Sequence, residues 1–233
     1  MIFNTKVQVG DKRYVVPEKI SVAQFQAIHG LDPDVAIHRD LITATILGCQ
    51  LKEIQDMDPE GREMTFAMAA LSMSSLEKPK LKECPFPFDQ LTFGQFVDLD
   101  VLTFEDINKN LVEILSILYD MDADKIADQP LEPMLGGITQ WMLKRSEIYK
   151  AYSVFFGVSE VQSTEADEAA EGADIRKVWY QAIMTLAGED FMKIGQVVDR
   201  PVNEALNFLA YMKEQAQLRA LEHKRQMAKI KQH

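Results

Sequence analysis

The 233-residue sequence lacks the usual marks of a secreted or membrane-embedded protein. It has two cysteines, Cys49 and Cys84, which allow one disulfide at most, and both lie beside apolar residues. This usage favours reduced, buried thiols in a cytoplasm. No apolar run approaches the roughly 18 residues of a membrane-spanning helix, and the N-terminus lacks the apolar core of a signal peptide. We therefore predict a cytoplasmic protein without a membrane span.

Basic residues are too few for a broad nucleic-acid-binding surface. The chain has 25 Lys and Arg against 36 Asp and Glu, for a formal charge of -11. Binding of duplex DNA needs a field of positive charge that displaces counterions. Residues 219–233 alone are basic, at +4, which leaves -15 for the rest of the chain. We expect no nucleic-acid partner, and one basic segment at the C-terminal end.

Signatures of catalysis and of cofactor binding are also absent. The sequence contains no GxGxxG, GxxxxGK[ST] or GxSxG motif. Its four histidines lie in different segments without an HExxH pattern, and no spacing requires His38, Asp40 and Cys49 to form a nucleophilic site. The sequence predicts a protein that is not an enzyme and has no cofactor. The alternative is a hydrolase with a nonstandard site, in which Asp, Glu or His side chains converge in a pocket.

The run Asp120, Asp122 and Asp124 resembles the start of a calcium-binding loop. An EF-hand loop that begins at Asp120 needs glycine at its sixth position and glutamate at its twelfth. The sequence has Lys125 and Leu131 there. We therefore predict no metal site, and interpret the run as the solvated C-terminal turn of a helix.

Residues 1–82 predict an N-terminal β-hairpin followed by helices. Two β-branched runs flank a Gly10-Asp11 turn, and Ser21 is placed to cap the first helix. A second helix is expected from Pro33 to Leu47, with Ile37, Leu41 and Ile42 on its apolar face. A strand, a turn and a helix from Pro59 to Met73 are predicted after Gly48.

Residues 83–158 predict a central helical bundle. Apolar residues at helical spacing indicate two helices, one with Phe93, Phe96, Val97 and Leu99 and one with Leu111, Ile114, Leu115 and Leu118. A third helix is expected from Ile138 to about Phe156, with Gly136-Gly137 at its start.

The remainder predicts an acidic linker or loop at 159–174 and a C-terminal helical hairpin at 175–233. The linker has six acidic residues and no basic one, and it has no bulky apolar residue after Val161, so that burial cannot offset its ordering entropy. The hairpin's first helix carries Val178 and Ala182 on its apolar face and ends at Gly188. Pro201 is expected in the first turn of the second helix with Asp199 as a cap, and the apolar stripe of that helix stops after Leu221.

The predicted fold is thus an α-rich α+β fold. An N-terminal β-hairpin packs on a helical bundle, and a C-terminal helical hairpin ends in a protruding last helix. Candidate partner contacts lie in this hairpin because large aromatic residues favour interface centres. The candidates are Trp179, Tyr180, Phe208, Tyr211, Leu218, Leu221, Lys224 and Arg225. The alternatives are an intramolecular core for the aromatic residues and a frayed, solvated helix end for the basic segment.

Several stretches resemble the baseplate hub assembly family, or tail assembly chaperones, of T-even-like contractile-tailed phages. These stretches are LTFGQFVDL at 91–99, NLVEIL at 110–115, WYQ at 179–181, LAGED at 186–190, VDRPV at 198–202 and ALNFLAY at 205–211. The resemblance covers roughly residues 91–211. It implies a non-enzymatic protein that binds baseplate hub or tail proteins in the host cytoplasm, or that stays in the baseplate of the virion tail. The alternative is a regulatory adaptor or scaffold for another cytoplasmic complex.

Overall fold

The computed structural model describes residues 5–77, 87–156 and 175–230, and it confirms an α-rich α+β fold. The N-terminal strands pair as a two-stranded antiparallel sheet, and helices form most of the rest. The elements are β1 (Lys6–Val9), β2 (Lys12–Val15), α1 (Val22–Ile28), α2 (Ala36–Leu47), α3 (Leu51–Gln55), α4 (Pro59–Ala70), α5 (Phe93–Asp106), α6 (Leu111–Tyr119), α7 (Ala123–Ala127), α8 (Leu131–Ala151), α9 (Ser153–Phe156), α10 (Ile175–Leu186), α11 (Ile194–Val198) and α12 (Val202–Ile230).

The chain divides into two compact units, each built from two separate stretches. Unit 1 is Met1–Phe86 with Asp106–Trp141, and unit 2 is Pro87–Glu105 with Met142–His233. The four segments predicted from the sequence instead follow one another along the chain, and that division stays a prediction. The predicted acidic linker at 159–174 and Cys84 lie outside the described residues.

The β-hairpin of unit 1 forms as predicted. Gly10 adopts the left-handed region at φ +57°, which glycine enters without steric cost. One face of the hairpin is apolar and packs on α2 and α3. The packed residues are Val7, Val9 and Val16 against Ala44, Leu47 and Ile54.

The first helix of unit 1 begins with a capping box. The Ser21 hydroxyl accepts from the Gln24 amide at 3.2 Å, and the Gln24 side chain accepts from the Ser21 amide at 2.8 Å. The same Gln24 side chain donates to the carbonyls of Thr45 and Ile46 at the end of α2. Gln24 therefore both caps α1 and connects it to α2.

The second helix differs from its prediction in both its start and its buried face. It begins at Ala36 rather than Pro33, because the Asp32 carboxylate accepts from the Asp34 amide and closes a turn before the helix. Ile37 and Leu41 are exposed, which corrects the predicted apolar face. The buried side chains are Ile42, Ala44, Ile46 and Leu47.

The segment after α2 contains a helix where a strand was expected. Leu51–Gln55 forms α3 and buries Ile54. Asp58 then caps α4 through the Gly61 amide at 2.8 Å, with Pro59 in the first turn. The α-helix ends at Ala70 rather than Met73 and continues as a 3₁₀ helix over Leu71–Glu77.

Helix α8 begins at Leu131, seven residues before the predicted start at Ile138. Pro133 lies in its first turn, where proline removes no helical hydrogen bond. The two glycines lie inside the helix instead of before it. A Cβ at Gly137 would stand 2.7 Å from Cε2 of Tyr119, so this position needs glycine for the close approach of α6.

Unit 2 joins the start of α5 to the start of α12 through backbone hydrogen bonds. The Phe93 amide donates to the Arg200 carbonyl at 2.7 Å, and the Val202 amide donates to the Leu91 carbonyl at 2.9 Å. Pro201 was predicted in the first turn of this helix, but α12 begins one residue later, at Val202. The Pro201 carbonyl accepts from the Ala205 amide, as the residue just before a helix does. Asp199 ends α11 and is not the predicted cap.

Candidate functional site

Helix α12 is 29 residues long, and only its first part packs in unit 2. Val202, Leu206 and Leu209 are at most 4% exposed. Lys213 marks the end of this packed part, where its ammonium donates to the Phe155 carbonyl at 2.7 Å. From 216 to 227 every side chain is exposed. We call residues 216–230 the outer segment; at 1.5 Å per residue it extends about 22 Å.

Exposed apolar side chains are concentrated in the C-terminal stretch that contains α12. Twenty large apolar side chains are exposed in the described chain, and ten of them lie within 175–230. This stretch makes up only 56 of the 199 described residues. Single exposed apolar residues are common on protein surfaces, but this stretch carries more of them than its share of the described residues.

Most of the predicted contact residues have exposed side chains in this stretch. Tyr180, Phe208 and Tyr211 are 58%, 52% and 56% exposed, and the rings of Phe208 and Tyr211 lie 6.4 Å apart. Leu218 and Leu221 are 53% and 52% exposed in the outer segment. These side chains can therefore meet a partner without any rearrangement of unit 2.

Trp179 is buried, which corrects its prediction as a partner contact. Its side chain is 2% exposed and packs edge-on against Phe93 and Phe96, with ring centroids 5.8 and 5.5 Å away. Large aromatic side chains suit cores and interfaces equally, so composition alone did not separate the two. Trp179 instead holds α10 against α5.

A polar cluster that the sequence reasoning missed fixes this packing. The Asp100 carboxylate is fully buried and accepts hydrogen bonds from Arg145 Nε at 2.6 Å, the Tyr149 hydroxyl at 2.9 Å and Trp179 Nε1 at 2.8 Å. Asp100 follows Phe96 by four residues, so an acidic residue on an apolar helix face was the available signal. The cluster links α5, α8 and α10 of unit 2.

The same cluster has no free group for acid or base chemistry. Burial raises the pKa of the Tyr149 hydroxyl, and the negative charge of Asp100 adds to the effect, so the hydroxyl keeps its proton and donates it. The Arg145 guanidinium also lies over the Tyr149 ring, 4.6 Å from its centroid. Asp100 is thus saturated by donors and closed to solvent, which is typical of a structural ion pair.

Two clefts of unit 2 flank the packed part of α12. One of 270 Å³ lies between α10, α11 and α12 and includes Leu186, Val197 and Phe208. The other, of 330 Å³, lies between α9, α10 and α12 and includes Phe155, Val178 and Met212. Phe191 and Met192, which the sequence reasoning passed over, are 69% and 73% exposed in the connection from α10 to α11.

The predicted basic contacts lie on the outer segment. Lys224 and Arg225 are exposed, and Arg219 precedes them on the same helix. None of the described side chains between 205 and 227 takes part in an ion pair. The positive charge of this segment is therefore available to an external acidic group.

The residues considered for catalysis have separate partners. His38 Nδ1 accepts from the Asp32 amide at 3.1 Å. Asp40 instead pairs with Arg62, with 3.4 Å between its Oδ2 and Arg62 Nη1. Burial raises the pKa of the Cys49 thiol, which disfavours the reactive thiolate. Neither arrangement activates a nucleophile.

The acidic run after α6 also has structural roles. Asp120 ends α6 in the left-handed region at φ +48°, and Asp122 pairs with Lys125 at 2.7 Å. Within residues 5–77, 87–156 and 175–230, no group of three or more His, Cys, Asp or Glu side chains is arranged to hold a metal ion.

Two further observations concern the whole described chain. None of its helices combines the length and the apolar character needed to cross a membrane. Comparison with family models, with curated proteins and with solved structures finds no match to this chain.

Proposed function

We propose that this protein is a non-enzymatic assembly factor of a phage tail or baseplate hub, which acts by binding other tail proteins. The observation that carries the proposal is the outer segment of α12, a helix end that has no packing partner among the described residues. The resemblance to baseplate hub assembly proteins supplies the class of partner. Host cytoplasm during assembly is the proposed location, with the virion baseplate as the alternative.

A helical end of this kind has little to stabilise it alone. Most helical stability in proteins comes from packing an apolar face rather than from intrinsic propensity. Neither packing nor ion pairs support the described side chains from 216 to 227. A partner that covers this segment would therefore supply the missing stabilisation.

The exposed side chains have the composition of a binding surface. Tyr211, Leu218 and Leu221 offer apolar area, and Lys224 and Arg225 lie near the end of the helix. Interface centres are enriched in aromatic residues and arginine, whereas charged residues are usually found at the rim. Tyr180 and Phe208 extend the same kind of surface onto the packed part of unit 2.

The test is affinity purification of the tagged full-length chain from phage-infected cells, with retained proteins identified by mass spectrometry. We expect tail or baseplate proteins with the full chain and their loss when residues 213–233 are deleted. The variant Leu218→Ser with Tyr211→Ser should reduce retention. Leu143→Ser, at a position in unit 2 that is 63% exposed, is the matched control and should leave retention unchanged.

Two outcomes would contradict the proposal. If the full-length chain retains no tail or baseplate protein, the assembly function fails. If it retains host proteins of one cellular complex instead, the chain is a regulatory adaptor.

A further inference from the structure

The outer edge of β2 has backbone groups that are free to pair with another strand. The Val16 amide donates to the Thr5 carbonyl at 2.9 Å, and hydrogen-bonded and non-hydrogen-bonded pairs alternate along an antiparallel pair of strands. The N–H and C=O groups of Arg13 and Val15 therefore point away from β1. Among the described residues, none bonds to them. Such an edge is a template for a further strand.

The side chains along this edge combine one cation and one apolar group. Arg13 and Val15 lie on the same face of β2, because successive side chains of a strand alternate between its two faces. Arg13 is exposed and has no ionic partner in the described parts of the chain, whereas the neighbouring Lys12 pairs with Glu53. Val15 is 52% exposed. The face beside the edge thus offers a charge and an apolar surface that are both unused.

A cleft of about 410 Å³ begins where β2 ends. Val16 and Pro17 line it on one side, and Met68 and Leu71 line it from α4 and the 3₁₀ helix that follows. Leu71 is 63% exposed. An extended chain advances about 3.3 Å per residue, so a strand paired with β2 reaches the cleft within one or two residues of Val15. One apolar side chain of such a strand can enter it.

A second copy of this chain is a poor occupant of the edge. If two β2 strands paired antiparallel about Tyr14, the Arg13 side chains of the two copies would be diagonal neighbours, about 7–8 Å apart. A parallel pair in register would bring the same two side chains to about 4.8 Å. Like charges at these distances oppose pairing, and a charge on an edge strand commonly prevents self-association. The same charge favours a strand with an acidic residue opposite Arg13.

We infer that the outer edge of β2 binds an extended segment of a partner protein as a third, antiparallel strand. The segment has an acidic residue opposite Arg13, an apolar residue opposite Val15, and a further apolar residue that enters the cleft beside Leu71. Main-chain hydrogen bonds supply affinity in this mode of recognition, and the side chains supply selectivity. The site lies in unit 1, so it is separate from the α12 surface and does not depend on the proposed function.

The probe is a pair of synthetic peptides of about ten residues, the upper length of a typical strand. Both alternate valine with threonine and carry leucine at the position that reaches the cleft. One has glutamate opposite Arg13 and the other has lysine. Each is titrated into isotope-labelled full-length protein, and NMR follows the amide shifts and their exchange with deuterium. We expect the glutamate peptide to bind about fivefold more tightly, with a smaller difference at high salt.

The amides themselves report where the peptide binds. Those of Arg13 and Val15 should exchange more slowly once the glutamate peptide is bound, because they then donate to it. The amide of Lys6 points to the opposite edge of the hairpin and should keep its exchange rate, since Lys6 pairs with Val15 without hydrogen bonds.

Proline substitutions test the edge with a matched control. Val15→Pro removes an N–H that the hairpin does not use and should weaken binding of the glutamate peptide at least about tenfold. Lys6→Pro is the same change directly across the hairpin, on the outer edge of β1, and should leave binding of that peptide within about twofold.

Further variants test the side chains without any change to the backbone. Arg13→Glu should reverse the preference between the two peptides. Lys6→Glu changes the charge equally but lies two strand spacings, about 9–10 Å, from the bound strand, and should preserve the preference. Leu71→Ser should weaken binding of both peptides. Met64→Ser, at a position of α4 that is 62% exposed and outside the cleft, should not.

Each contrary outcome overturns the inference. If the glutamate peptide does not bind, or binds without slowing exchange at Arg13 and Val15, the edge is not its site. Equal effects of Val15→Pro and Lys6→Pro, or an unchanged preference in Arg13→Glu, have the same meaning. A dimer in sedimentation equilibrium that Val15→Pro dissociates assigns the edge to a second copy.

The two proposals fail independently of each other. If the affinity purification retains tail proteins but the glutamate peptide does not bind, the edge inference fails and the proposed function stands. If the peptide binds with the expected selectivity but no tail protein is retained, the proposed function fails and the edge inference stands.

Discussion

Substitution of Asp100 tests whether the buried polar cluster holds unit 2 together. Asp100→Asn keeps the size of the side chain and one acceptor oxygen but removes the negative charge. Arg145 then loses its counterion while its side chain is still only 22% exposed. Trp179 keeps an acceptor only if the amide oxygen turns towards the indole. The variant therefore leaves a largely buried cation without compensation.

The expected loss follows from the exposure of the pair. Removing one partner of a buried ion pair destabilises a protein by about 3–5 kcal/mol. Because Arg145 keeps some contact with water and asparagine still accepts one hydrogen bond, we expect the lower end, about 3 kcal/mol. With a urea dependence of about 2 kcal/mol per M, the unfolding midpoint of unit 2 should fall by about 1.5 M.

The two tryptophans allow each unit to be followed by itself. Trp141 is buried in unit 1 and Trp179 in unit 2, at 1% and 2% exposure. In a Trp141→Phe background, fluorescence during urea unfolding reports on Trp179 alone. Asp98→Asn, an exposed position on the same helix, is the matched control. A midpoint shift for Asp100→Asn no larger than that of Asp98→Asn would refute a stabilising role for the cluster.

Three other expectations concern Gly137, the outer segment of α12 and Cys49. Gly137→Ala should destabilise unit 1 by about 1–3 kcal/mol because the new Cβ meets Tyr119, whereas Gly195→Ala, with open space around it, should be neutral or stabilising by up to about 1 kcal/mol; urea unfolding measures both. Amides of the outer segment should exchange with deuterium much faster than those of the packed part of α12 in the free protein, and a bound partner should slow them; equal protection without a partner would contradict this. In a Cys84→Ser background, Cys49 should react with a thiol reagent more slowly than free cysteine at pH 8, because burial raises its pKa; an equal rate would contradict this.

The elements that the sequence predicted well are those determined by short-range chemistry. The Gly10-Asp11 turn and the Ser21 cap depend on residues within three positions of each other, and both form as expected. The start of α8 depends on more distant residues. Gly137 reads as a helix breaker in the sequence, but the packing of Tyr119 from α6 is what requires it. Contacts across 18 residues leave no local pattern.

The candidate site was predicted in part for a similar reason. Exposed positions such as Leu218 and Leu221 follow from the end of the packed stretch of α12. The burial of Trp179 depends on Asp100, 79 residues earlier in the chain. Long-range partners of this kind decide whether an aromatic side chain belongs to a core or to a surface, and one sequence does not reveal them.

The way in which α12 is held explains how an unsupported helix end can still serve as a binding element. The backbone hydrogen bond from the Val202 amide to the Leu91 carbonyl fixes the start of the helix, and Lys213 donates to the Phe155 carbonyl at the end of its packed part. The outer segment therefore leaves unit 2 in a set direction, even though its own turns lack side-chain support. Association costs less when a binding element is already oriented. A proline that interrupts the packed part of the helix, for example Leu209→Pro, should thus weaken partner binding even though every residue of the outer segment is present. Unchanged binding by that variant would show that the outer segment acts as an independent peptide.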